Sequence, residues 1–192
     1  MTFKFSERSL TQQIGVDERL VKAANLAITR SSVDFAFYEG LRSKKTQQEN
    51  IEKGVSWTMN SKHITGQACD LVPHVGGQLR WEWTPILAVG EAFREAWVEL
   101  YPYAQLRWGG CWDIVTGVNS EISLSTLQNQ YVKRAILAKK TPRSDGAHWE
   151  VNFLSERSVS NNPNAALFDA LTKRVEILEN IIDELRLTDE IK

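Results

Sequence analysis

The chain has 192 residues and a mass of 21.8 kDa, enough for one compact domain with an appendage. Hydrophobic residues make up 42% and charged residues 24%, which excludes global disorder, and a net charge of −1 argues against a protein built to wrap nucleic acid. No apolar stretch approaches the ~20 residues that span a bilayer, and the opening MTFKFSERSL lacks the apolar run of a secretory signal. The product is therefore expected to stay in the cytoplasm until something else lets it out.

After an opening Phe3/Phe5 segment, Val16, Leu20, Ala24, Ala27 and Ile28 recur at helical spacing and predict a helix over 16–29. Val33, Phe35 and Phe37 alternate with their neighbours as in a half-buried strand that Gly40 ends, with Arg42 just after it. A polar helix is expected over 43–53, stopped by Gly54, and a strand over 68–72, reached through a Thr65-Gly66 turn. Gly76-Gly77 reads as a second turn. Thr84 and Pro85 are expected to cap and open a helix that runs to about residue 100. A third strand is placed at 104–108, a helix around 123–140, and a last strand at 147–153. In that strand Trp149, Val151 and Phe153 share one face and His148 and Glu150 the other. Beyond a polar linker at 158–164, Phe168, Leu171, Val175, Leu178, Ile182 and Leu185 form a short heptad seam. That seam suits either a two-stranded coil, making a homo-oligomer through 168–185, or docking on the protein's own core. The fold class read from this order is α+β: a small central antiparallel sheet, flanking helices and a C-terminal amphipathic helix. The domains expected are 1–157, with 113–144 as an inserted segment, and 158–192.

Only three histidines are present, His63, His74 and His148, so any imidazole chemistry draws on these. His63 and Asp70 stand on either side of the Thr65-Gly66 turn, which lets them face one point. His148 lies on the polar face of the last strand. Two imidazoles and one carboxylate make a three-ligand zinc site with a fourth position left for water, the format of a catalytic rather than a structural centre. Asp145, beside the small pair Gly146-Ala147, is then the spare carboxylate for proton transfer. Each segment alone also reads as an ordinary turn beside a strand. Cys69 and Cys111 occur in no CxxC pair, so neither a disulfide framework nor a zinc ribbon is expected. Alternation turns Cys69 away from the metal, and His74 is read as a surface histidine.

The SxHxxGxAxD segment 61–70 and the DxxH segment 145–148 resemble the VanY-like D-Ala-D-Ala carboxypeptidase family of LAS-type zinc peptidases. The branch most like this chain is that of the phage L-alanyl-D-glutamate endopeptidases. Phe5-Ser-Glu-Arg-Ser-Leu10, Val33-Asp-Phe35, Glu39-Gly-Leu-Arg42 and Trp108-Gly-Gly-Cys-Trp112 extend the resemblance over 3–112 and 145–153. It implies a hedgehog/DD-peptidase-like fold and one Zn²⁺ held by His63, Asp70 and His148. Asp145 matches the family's catalytic carboxylate and Arg42 its strand-end arginine, which would steady the oxyanion. Ser61 would touch substrate or steady the loop. Glu150 is either an orienter of His148 or an exposed strand carboxylate, and Trp108 is counted with these supporting residues.

The implied function is zinc-dependent hydrolysis of the L-Ala–D-Glu bond of peptidoglycan stem peptides. An endolysin of this kind would be stored in the host cytoplasm and act on the cell wall in the periplasm, with no nucleic acid partner and no membrane insertion. Two alternatives stay open: a D,D- or L,D-carboxypeptidase, and a non-catalytic wall-binding module of the same fold. The segment between Trp112 and Asp145 is longer than compact relatives need. It carries five cations from Lys133 to Arg143, which suit either substrate carboxylates or a solvated helix face. Asp113, Asn119 and Glu121 are too thin a set of oxygen ligands to assign calcium.

Overall fold

A computed structural model describes residues 2–102, 104–115 and 121–151, all within the first of the chain's two units, Met1–Phe153. The expected linker, the C-terminal helix with its seam, and Phe153 lie outside the described residues. The architecture is α+β, as expected. Helix α1 (Glu7–Gln12) leads to α2 (Glu18–Arg30), strand β1 (Phe35–Glu39) and α3 (Lys44–Glu52). Next come β2 (Ala68–Val75), β3 (Gln78–Leu79), α4 (Trp83–Leu100), β4 (Arg107–Trp108), α5 (Leu124–Leu137) and β5 (His148–Glu150). The strands pair antiparallel in the order β1-β2-β5-β4, with β3 added to the far end of β2.

One face of this sheet is apolar. Phe35, Phe37, Leu71 and Trp149 point from it into a core shared with Leu20, Ala24 and Ile28 of α2 and Val89, Phe93 and Trp97 of α4. Alternation therefore sends Tyr38, Asp70, His148, Glu150 and Arg107 to the opposite face. Among the described residues no helix is long and apolar enough to cross a membrane.

Local chemistry explains the element ends. Asp17 caps α2 by accepting from the Arg19 amide, and the Arg19 side chain holds its carboxyl below the usual carboxylate range. Ser43 caps α3, and Gly54 follows it at φ 71°. Helix α4 begins one residue before its expected cap. Glu82 occupies the cap position without a side-chain bond, and Pro85 is tolerated because first-turn amides lack partners in any case. The third strand is shorter than 104–108 because the Ala104 amide bonds back to Tyr101 and its carbonyl accepts the Trp97 indole. Among the described residues the last strand covers His148–Glu150, with Ala147 and Val151 on either side outside it.

Candidate metal centre

His63 sits in a tight 3-10 turn, Lys62–Thr65, opened by Ser61 and closed by Gly66 in the left-handed conformation. Ser61 Oγ accepts from the His63 amide, so this serine steadies the loop, and it also borders the groove below. Gly66 is required twice over. Its φ is +69°, and a Cβ there would lie 2.1 Å from the Gly15 carbonyl oxygen. The Gly66 carbonyl in turn accepts from the Asp17 amide at 2.7 Å, which fixes the turn against the start of α2.

Asp70 and His148 are directly opposed on β2 and β5. His63 Nε2 lies 3.1 Å from His148 Nδ1, and each nitrogen lies 3.2 Å from Asp70 Oδ1. A tetrahedral ion with bonds of ~2.0–2.1 Å needs ligand atoms ~3.3 Å apart, so the triangle has the size of a zinc site. The far nitrogens settle the tautomers. His63 Nδ1 donates to the Gly40 carbonyl at 2.7 Å, and His148 Nε2 donates to Glu150 Oε2 at 3.0 Å. The nitrogens facing one another are then both lone pairs, beside a carboxylate oxygen. Three largely buried lone pairs converging within hydrogen-bond distance favour a cation between them, and this donor set fits zinc.

The electrostatics agree. Burial opposes ionisation of Asp70, yet the two histidines hold its carboxyl far below the ordinary range. Burial likewise disfavours charge on His148, but the bonds to Asp70 and Glu150 push it up to about 10. Without a metal, a proton serves as the cation. Glu150 is buried rather than exposed. Its Oε1 receives the Arg107 guanidinium, and His148 and Arg107 keep it ionised against the cost of burial.

The triangle forms part of the lining of a groove of about 730 Å³, bordered also by Arg42, Trp57, Arg107, Trp112, Arg143 and Asp145. The Asp145 amide donates to the Gly109 carbonyl at 2.8 Å, and burial together with the neighbouring Asp70 raises its carboxyl above the usual range. Arg42 grips Glu39 through Nε and Nη2 and donates Nη1 to Gln47 Oε1, using three of its five N–H groups.

Trp108 does not reach the groove. It is fully buried, stacks on Trp149 with centroids 5.8 Å apart, and donates Nε1 to the Gly146 carbonyl at 2.8 Å. Its contribution is to brace the loop that carries Asp145 and His148. Trp112 takes the place at the groove, 5.1 Å from the His148 ring. Cys69 and Cys111 are buried free thiols, both pushed up by burial, and neither joins the ligands. His74 lies partly exposed, 3.6 Å from Asp34.

Sequence reasoning missed Arg107, Trp57 and Trp112. Arg107 alternates with the buried Trp108, which marks it as outward, but its pairing with Glu150 depends on a register 43 residues away.

The chain has clear relatives. The family model for phage L-alanyl-D-glutamate peptidase matches residues 1–134, ending before Asp145 and His148. The L-alanyl-D-glutamate peptidase of Escherichia phage T5 is 34% identical over 137 residues, 69% of this chain and 98% of that protein. The peptidase of the same name from Listeria phage A118 is 32% identical over 84 residues, 42% of this chain and 30% of that protein. The crystal structure of the L-Ala D-Glu endopeptidase ChiX of Serratia marcescens superposes with a TM-score of 0.57 at 30% identity, covering 79% of this chain and 92% of that one. With the fold, the groove and these likenesses together, the chain belongs to the phage L-alanyl-D-glutamate peptidase family.

Proposed function

We propose that this protein is a zinc-dependent endopeptidase that hydrolyses the L-Ala–D-Glu bond of peptidoglycan stem peptides, made by a phage to open the host cell wall. The observation that carries the reading is the convergence of His63 Nε2, Asp70 Oδ1 and His148 Nδ1 at the groove, in a chain of this family. His63, Asp70 and His148 would hold the zinc, which would supply Lewis acidity toward water and the scissile carbonyl.

The residues of the chain do the rest. Asp145, half-buried beside the ligands with a raised proton affinity, takes the proton of the attacking water and returns it to the leaving amine. Arg42, rigidly forked on Glu39, offers its remaining N–H groups to the oxyanion. Glu150 fixes the ring of His148, and Gly40 that of His63, so that both lone pairs face the ion before it arrives. Glu39, Gln47 and Arg107 hold these groups in turn.

Digestion of purified murein, followed by mass spectrometry of the products, tests the proposal. New amino-terminal D-Glu is the expected result. Released D-Ala would show a carboxypeptidase instead, and intact murein in the presence of bound zinc would show a binding module.

A further inference from the structure

Three arginines line the groove, and two of them are already neutralised. Arg42 is paired with Glu39 and Arg107 with Glu150. The third, Arg143, has no carboxylate partner among the described residues. Its guanidinium instead lies 5.3 Å from the centre of the Trp57 ring. Backbone bonds hold the residue in place: its carbonyl accepts the Trp112 indole N–H at 2.6 Å, and its amide reaches Tyr131 Oη at 3.5 Å. Trp57 and Trp112 meet edge to face with centroids 6.3 Å apart, and Trp112 packs against His148. The cation therefore stands on an aromatic wall that leads directly to a metal ligand. Of the five cations expected to serve the substrate, Arg134 is bound to Asp113, and only Arg143 borders the groove.

We infer that Arg143, seated on Trp57, is the subsite for the free carboxylate of the glutamyl residue whose amine leaves. This rests on the endopeptidase reading above. A glutamyl residue has two carboxyl groups, and the stem continues through only one. The other remains on the peptide as a carboxylate, or as an amide in walls that cap it. A guanidinium with no carboxylate partner among the described residues, on a wall that reaches the reaction centre, suits a planar anion through two parallel N–H bonds. An amide in the same place offers one acceptor and no charge. The Trp57 ring gives the guanidinium an aromatic seat at the edge of the groove.

The test uses the zinc-loaded full chain and two synthetic stem peptides that differ only in this group, carboxylate or amide. The wild type is expected to prefer the carboxylate peptide by about 10- to 100-fold in kcat/KM, carried mainly by KM and weakening with added salt. Arg143→Gln is expected to bring that ratio to within about twofold, and Arg143→Lys to restore part of it, because a charge returns without the fork. Zinc content and thermal midpoint, measured on each variant, separate loss of the subsite from loss of the fold. A wild type that cleaves both peptides equally would overturn the inference and leave the endopeptidase reading intact. An Arg143→Gln variant that is folded, zinc-loaded and still fully selective would also overturn it. Cleavage of neither peptide would overturn both.

Discussion

The indole of Trp108 donates to the carbonyl of Gly146, and this bond ties the aromatic core to the loop between Asp145 and His148. Trp108→Phe would leave that buried carbonyl without a donor. It is expected to cost about 1–3 kcal/mol in denaturant unfolding and to lower kcat, with little change in far-UV circular dichroism.

Asp145→Ala removes the proposed proton carrier but none of the three candidate metal ligands. Zinc content should stay near one per chain while kcat falls by about 10²–10⁴. A variant with near-normal turnover would assign the proton transfer elsewhere.

Glu150→Gln keeps the shape of the side chain that orients His148 but removes its charge, and can present the wrong group to Nε2. Metal affinity in a chelator competition is expected to fall by about 10- to 100-fold. Arg107→Gln acts one step further out and should weaken binding less.

Removing the metal leaves three lone pairs facing one another. EDTA is expected to lower the thermal midpoint, and zinc at about 1,000 times its Kd should return about 4 kcal/mol. The metal-free protein should also depend on pH in a defined direction. His148 is raised from 6.5 to about 10 in the folded chain, so its protonated form adds stability that is complete below 6.5 and disappears as the pH climbs through 10. Zinc competes with that proton, so metal affinity should rise over the same interval. Denaturation curves with and without zinc from pH 6 to 10 check both signs.

Much of the site could be read from the residues because its signals are local. The Thr65-Gly66 turn and the polar face of the last strand place His63, Asp70 and His148 by backbone geometry alone. Helix α2 was equally legible, since Leu20, Ala24, Ala27 and Ile28 make a continuous stripe. Helix α1 was not, because its six residues bury only Ser9 and so carry no apolar period. Trp108 belongs to the core rather than the site because its cross-strand partner is Trp149 on the core face, a pairing that its sequence neighbours do not reveal. The wall built from Trp57, Trp112 and Arg143 unites three distant segments through ring contacts, and no spacing rule records such a meeting.

The seat that Gly15 provides for Gly66 has a practical consequence for protein engineering. A short linker between two N-terminal helices, far from any reacting atom in sequence, decides where the first imidazole stands. A chimaera that swaps only the region 60–70 keeps this contact only where the new turn fits the Gly15 backbone beneath it. The graft should therefore include residues 12–17 as well.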